Sequence, residues 1–160
     1  MKQLTSRCMG CMKPLDPGVM VCPSCSHDNS IGNPPGALAA GTVLGDRYLV
    51  GKMERQSGLI TAYLGWDTKK NSRVCIEEFM PAPFARRGED GVTLQVSPEH
   101  QPRYKTLLSD MADRWKRLAG ITSKALPRIR ELIQLHNTVY CITDYHQAVP
   151  LEEYLEQRGA

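Results

Sequence analysis

Residues 61–79 read TAYLGWDTKKNSRVCIEEF, two runs of apolar and β-branched residues on either side of a short polar turn. Runs of this kind, joined by turn formers, are typical of neighbouring antiparallel strands. A similar run precedes them at residues 47–52. Two more follow at residues 128–135 and 138–144, with His136-Asn137 as a tight hairpin turn between them. The pattern predicts five antiparallel strands.

One amphipathic helix is predicted between the third and fourth strands. Pro102 suits its first turn and Gly120 its C-terminal end. Residues 92–96 are a further candidate strand, Arg86-Arg87 is expected to be a solvated pair, and a short helix is predicted over 151–157. The fold class is therefore α+β, a five-stranded antiparallel sheet with one packed helix. The apolar residues at helical spacing are Tyr104, Leu107, Leu108, Met111, Trp115 and Leu118.

Two C-x-x-C pairs stand near the N-terminus, ten residues apart. Each pair can form a tight knuckle, and two facing knuckles offer four thiolates at tetrahedral positions, which Zn²⁺ accepts. We therefore predict a zinc ribbon over residues 1–30 with one structural Zn²⁺, and a solvated His27. Two disulfides or a redox C-x-x-C are the alternatives, against which the paired spacing argues. The predicted ligands are Cys8, Cys11, Cys22 and Cys25.

The remaining cysteines and the charge limit the functional classes. Cys75 and Cys141 fall inside predicted strands and are expected to be small core side chains. The net charge of +3 is too small to indicate a nucleic-acid partner, and the ribbon region lacks aromatic residues for base stacking. The chain has neither a secretory signal nor a membrane-spanning run, which predicts a cytoplasmic protein with no membrane segment. Residues 31–40, rich in turn formers, are predicted to be a linker before a domain at 41–160.

From about residue 41 to 155 the sequence resembles the N-terminal lobe of bacterial serine/threonine protein kinases, in particular those with a four-cysteine ribbon in front. Residues 41–51 are similar to the lead-in and first strand, and residues 61–67 to the second. Val74-Cys75-Ile76-Glu77 stands where the family has V-A-I-K. Residues 137–145 resemble the fifth strand running into the hinge, whose positions here are Thr143, Asp144, Tyr145 and His146.

The resemblance also implies that the nucleotide site is degenerate. The three glycines of the family's phosphate loop fall on Arg55, Ser57 and Ile60, and only the extra Gly58 remains. The phosphate-binding lysine falls on Glu77, and the helix glutamate that pairs with it falls on Met111. The catalytic H-R-D and D-F-G motifs have no counterpart before Ala160, so the chain is expected not to be an enzyme.

Three functions follow as hypotheses. The first is a non-catalytic pseudokinase-type module that binds a protein partner or a second copy of itself, through the surface that a C-terminal lobe would cover. Candidates for that surface are Met80, Phe84, Ile142, Val149 and Leu151. The second is a nucleotide or small-molecule sensor at the hinge, in a chain that is a fragment of a longer kinase-like protein. The third, nucleic-acid binding through the ribbon, is disfavoured by the low charge.

Overall fold

The computed structural model describes residues 6–148 and 151–159, excluding the side chains of residues 151 and 152. Six strands form one antiparallel sheet in the order β1-β2-β3-β4-β8-β7, and β5 and β6 form a separate hairpin. One long helix, α1, packs on the main sheet. The elements are β1 Val43–Leu44, β2 Tyr48–Gln56, β3 Ile60–Asp67, β4 Ser72–Phe79, β5 Ala85–Arg87, β6 Leu94–Val96, a 3-10 turn at Pro98–His100, α1 Gln101–Ala119, β7 Ile129–Leu135, β8 Thr138–Asp144 and α2 Leu151–Arg158.

The fold is mixed α and β, consistent with the predicted α+β class, but the predicted count of five strands is wrong. The sixth strand of the sheet is the two-residue β1, which pairs with the start of β2. Such a short edge strand carries no periodic signal. The predicted strand at residues 92–96 is present as β6, paired with β5. Arg87, expected to be solvated, lies in β5 with a buried guanidinium, because it pairs with a buried carboxylate described below.

The turns form where the sequence supplies their chemistry. His136 and Asn137 both have positive φ, as a two-residue hairpin between strands requires, and Asn tolerates that conformation better than most residues. Between β3 and β4, the carboxylate of Asp67 accepts hydrogen bonds from the N–H groups of Lys69 and Lys70. The long strands are therefore fixed in register by their turns.

Alternation along the strands divides the core into two layers. On one side of the sheet, the face under α1, Phe79, Val139 and Cys141 pack against Met111 and Trp115. On the opposite, outer side, buried side chains include Tyr63, Val74, Ile76 and Tyr140. Leu118, predicted on the buried face of α1, is 41% exposed because it lies in the last turn of the helix. No helix in the described ranges is long and apolar enough to cross a membrane.

The segment between the ribbon and the sheet is in contact with the sheet. Leu38 is fully buried in the outer layer, and its N–H donates to the Tyr63 hydroxyl at 3.0 Å. The Asn33 side-chain amide donates to the carbonyl oxygens of Leu38 and Gly51 and accepts from the N–H of Met53. Residues 33–38 thus position the ribbon relative to β2 as well as connecting it.

Candidate metal centre and degenerate nucleotide site

The sulfur atoms of Cys8, Cys11, Cys22 and Cys25 converge to within 4.8 Å of one another. The Cys8 and Cys25 sulfurs are 3.6 Å apart, and those of Cys11 and Cys22 are 3.8 Å apart. Four thiolates at the usual Zn–S distance of about 2.3 Å from a tetrahedral ion have sulfurs about 3.8 Å apart. The four side chains therefore fit a metal ion, and all six cysteines of the chain are free thiols.

The two C-x-x-C pairs form knuckles with the same backbone pattern. In each, the carbonyl of the first cysteine accepts from the N–H four residues later, and its own N–H donates to the carbonyl five residues later. The residue four positions after the first cysteine has positive φ in both knuckles. These residues are Met12 and Lys13 in the first knuckle and Ser26 and His27 in the second. This local equivalence is hidden in the sequence because the matching positions carry different residue types.

Backbone N–H groups in the knuckles favour thiolate at one cysteine. Burial acts to raise the pKa of Cys22, but hydrogen bonds from the N–H groups of Ser24 and Cys25 lower it to about 7. Burial raises the pKa of Cys11 to about 12. In the first knuckle the Gly10 N–H donates to the Cys8 sulfur at 3.2 Å. Because metal ions take thiolates, binding would displace the remaining thiol protons.

His27 packs against the first knuckle, where we had expected a solvated side chain. A Cβ atom on Gly10 would lie 2.4 Å from the His27 Cβ, far inside contact distance. Gly10 is therefore required for the two knuckles to close on each other. His27 is half-buried and does not join the four clustered sulfurs.

The loop expected to be degenerate is a closed hairpin. Gln56 pairs with Thr61, the Ser57 N–H donates to the Ile60 carbonyl, and the Ile60 N–H donates to the Ser57 hydroxyl. These bonds engage the backbone N–H groups of Ser57 and Ile60, which a phosphate-binding loop would leave available. Gly58 has no neighbour within 4 Å of its Cβ direction, so it lies at an open tip.

Glu77 and Arg55 form an ion pair in the sheet region that the resemblance assigns to phosphate binding. Glu77 lies in β4 opposite Ala62, and Arg55 lies in β2 opposite the same Ala62, so the two side chains meet across β3. Met111 is buried in the layer under α1, packed with Phe79 and Cys141. The sequence had placed these three residues in one site but had not paired Arg55 with Glu77.

The predicted hinge residues are the last two residues of β8, Thr143 and Asp144, and the two that follow it, Tyr145 and His146. Thr143 pairs with Cys75, and the Asp144 carboxylate accepts from Arg130 Nε at 2.5 Å. Tyr145 is half-buried against the ribbon, while His146 is exposed. Cys75 is half-buried, and burial raises its pKa to about 12, as expected of a small core side chain.

A buried polar network on the outer face escaped the sequence analysis. Arg87 donates from Nη1 and Nη2 to the two Glu78 oxygens at 2.6 and 2.7 Å. The Tyr63 hydroxyl donates to Glu78 at 2.9 Å, and Tyr140 lies 3.4 Å from it. The Arg87 guanidinium also donates to the carbonyl of Gly36. An acid in a strand with an arginine nine residues later is too common a pattern to have indicated this network.

Of the five residues expected on a surface facing a C-terminal lobe, two are in the core. Met80 and Ile142 are buried, and Phe84 is half-buried beside His100. Val149 lies outside the described residues, as does the side chain of Leu151. Large apolar side chains are instead exposed at the end of α1 and after it, where Leu118, Ile121 and Leu126 are 41%, 54% and 48% exposed.

The fold is similar to that of a solved structure titled "PpkA-294 apo form", a fragment of a bacterial serine/threonine kinase. The match has a TM-score of 0.72 and 17% sequence identity, and covers 77% of this chain. The match covers 43% of the other chain, so this chain spans less than half the length of that structure. No protein-family model and no curated protein matches the sequence. At this level of identity the likeness shows the fold alone: most of this chain folds like part of that structure.

Proposed function

We propose that this chain is a non-catalytic, pseudokinase-type N-lobe module with a structural zinc ribbon, and that it acts by binding a protein. The observation that carries the proposal is the Arg55–Glu77 ion pair. By the kinase resemblance, these positions hold a phosphate-loop glycine and the phosphate-binding lysine. Here the lysine position carries a carboxylate, and the cation beside it, Arg55, is already paired with that carboxylate.

Electrostatics make this exchange costly for a polyanion. At about 4 Å and an effective dielectric near 20, each pair of unit charges is worth roughly 4 kcal/mol. Replacing the lysine by Glu77 turns that attraction into repulsion. The closed hairpin at Ser57 and Ile60 adds to the effect, because its N–H groups are engaged. Together these features support the absence of phosphoryl transfer.

Zinc is the metal that the donor set favours. Four cysteine thiolates in a closed tetrahedral shell suit Zn²⁺, which needs no open position in a structural site. Elemental analysis of the purified chain is expected to find one zinc per molecule. A chain in which all four cysteines are replaced by serine is expected to contain none.

A protein partner is supported by the apolar side chains exposed around the end of α1. Leu118, Ile121 and Leu126 lie within nine residues of one another, and exposed apolar groups that cluster usually mark interaction surfaces. The partner could be a second copy of this chain. Sedimentation velocity over a range of concentrations tests that form, with Ile121→Ser expected to weaken association and Val19→Ser, on the exposed part of the ribbon, as its control.

Calorimetric titration of the zinc-loaded chain with ATP, with and without Mg²⁺, tests the loss of the nucleotide site. We expect no heat of binding at millimolar ATP. The double variant Arg55→Gly with Glu77→Lys restores two of the five altered positions and is the matched comparison, expected to bind at least as well as the wild type. Saturable binding by the wild type would contradict the proposal and favour a nucleotide sensor at the hinge.

A further inference from the structure

The first knuckle of the ribbon packs on the sheet. Met12 is 1% exposed and forms one cluster with Leu49 of β2 and Leu64 of β3. Met9, Trp66 and Tyr145 pack at the edge of this cluster. The ribbon therefore contributes apolar side chains to the core of the lobe.

The covered face is the one that carries Glu77. Leu64 is paired directly with Cys75, and Cys75 lies two residues before Glu77, so alternation puts all three on the same side of the sheet. Tyr145, at the hinge, borders the same cluster. In a kinase-like lobe this side is the roof of the nucleotide cleft. The knuckle thus covers the hinge end of that roof.

The contact is close enough to require glycine at its centre. The Gly51 φ is not positive, so its backbone does not demand glycine. A Cβ at Gly51 would nevertheless lie 2.3 Å from Met12 Cε and 2.6 Å from the Met9 carbonyl oxygen. The β2–β3 register shifts between Val50 and Met53, and there the Lys52 N–H donates to the Met9 carbonyl at 2.9 Å.

Arg7 of the ribbon adds a contact to Trp66 of β3. The Arg7 guanidinium stacks 3.7 Å from the centroid of the Trp66 ring and donates to the Met12 carbonyl at 2.8 Å. The fluorescence emission of Trp66 therefore reports directly on contact with the ribbon. Trp115, the other tryptophan, lies on the buried face of α1 and reports on the lobe core.

The same residues that cover the roof are fixed by the metal knuckle. Met9 follows Cys8, and Met12 follows Cys11 and donates its N–H to the Cys8 carbonyl. We infer that the ribbon is a metal-held cover of the cleft roof, so that metal occupancy and closure of the hinge end form one coupled equilibrium. By linkage, loosening the cover must weaken metal binding by the same factor as metal loss loosens the cover. The inference rests on the metal site of the proposed function and not on the absence of catalysis.

The main test compares the full metal-loaded chain with the same chain after chelation, by hydrogen exchange and tryptophan emission. Chelation is expected to speed exchange of the Lys52 amide at least about tenfold, equivalent to about 1.4 kcal/mol. In a Trp115→Phe background, Trp66 emission is expected to shift to longer wavelength. In a Trp66→Phe background, the Trp115 emission is expected to change less.

Two variants separate the cover from the metal. Met12→Asn removes the packed side chain, and asparagine suits the positive φ at this position, so the knuckle is expected to retain metal. The metal-loaded variant should nevertheless show the fast Lys52 exchange of the chelated wild type. Met20→Asn, at an exposed ribbon methionine, is the control and should behave as wild type.

Gly51→Ala approaches the contact from the lobe side, with Gly58→Ala as its control because Gly58 meets nothing within 4 Å. Release of the cover by Gly51→Ala with metal retained supports the inference. Lys52 exchange and Trp66 emission that stay unchanged on chelation and in both contact variants would overturn it. If instead the wild type binds no metal, the proposed metal site itself fails, which distinguishes the two failures.

Discussion

Glu77 and Glu78 are neighbours in β4, yet one forms an exposed ion pair and the other a buried one. The Glu78 side chain is fully buried and held by both Nη groups of Arg87, itself 8% exposed. Glu77 pairs with an Arg55 side chain that is 68% exposed. Strand alternation sends the two carboxylates to opposite faces, so Glu78 belongs to the outer layer and Glu77 to the face that also carries α1. The outer face has the buried, structural ion pair, while the face under α1 has a more exposed one.

This difference shows which of the two ion pairs the fold depends on. A buried pair is costly to break, because the remaining partner is left charged and desolvated. An exposed pair contributes little, since water and salt screen it. Glu77 can therefore be changed without loss of the fold, whereas Glu78 and Arg87 cannot be changed one at a time.

Glu78→Gln is expected to give the largest effect. The substitution leaves the Arg87 guanidinium buried without a counter-charge, and we expect a loss of about 3–5 kcal/mol in the free energy of unfolding. Urea denaturation at constant zinc measures it. Glu77→Gln is the matched control, with an expected loss of no more than about 1 kcal/mol. Equal losses for the two variants would remove the distinction between the faces.

Tyr63→Phe is expected to cost less, about 1–3 kcal/mol. The hydroxyl donates to Glu78 and accepts from the Leu38 N–H, so its removal leaves a buried backbone donor unpaired. Thermal unfolding of the variant measures the loss. Tyr154→Phe, at an exposed tyrosine, should be neutral, and a neutral Tyr63→Phe would show that residues 33–38 are not held by the network.

We also predict that the stability of the fold decreases in acid, because of Asp67 on the outer face. Asp67 is buried on the same face as Tyr63; burial acts to raise its pKa, but hydrogen bonds from Arg47 and the turn N–H groups hold the pKa below its usual range. Because the folded pKa is the lower one, this stabilisation is present above about pH 3.9 and declines as the pH falls below it. Asp67→Asn should flatten the acid limb of stability against pH. Asp113→Asn, at an exposed aspartate, should leave the limb unchanged.

Arg55→Ala is expected to have the smallest effect, under about 1 kcal/mol, because its partner Glu77 stays near solvent. Chemical denaturation of the variant and the wild type in parallel measures the difference in their free energies of unfolding, for which about 1 kcal/mol is the expected upper bound. A loss of several kcal/mol in the free energy of unfolding would mean that the Arg55–Glu77 pair is structural. Lys52→Ala, in the same strand, serves as a control for general loss of charge.

The sequence predicted the repeating features of the fold and missed the irregular ones. Period-two runs and the turn residues His136 and Asn137 indicated the long strands, and the cysteine spacing indicated the cluster that the four sulfurs form. The two-residue β1 carries no period. The partnership of Glu78 with Arg87 depends on the β5–β6 hairpin folding over the outer face, which no local pattern encodes.

The candidate site could likewise be predicted from the sequence only in part. Alignment with the kinase pattern identified Arg55 and Glu77 as altered positions but could not show that they pair, because that depends on the register of three strands. The packing of Met12 on Leu64 was equally invisible. Methionines between cysteines are not distinguishable by pattern from solvent-exposed ones such as Met20.

The amide of Asn33 sets a limit on where this chain can be shortened. One side chain serves both the Gly51 carbonyl and the Met53 N–H at the irregular point of β2, and also holds the carbonyl of Leu38. A truncation intended to produce the lobe without its ribbon should therefore begin ahead of Asn33, although the strands start ten residues later. Extra residues inserted at the exposed Ile31 or Gly32 would lengthen the tether without disturbing that attachment.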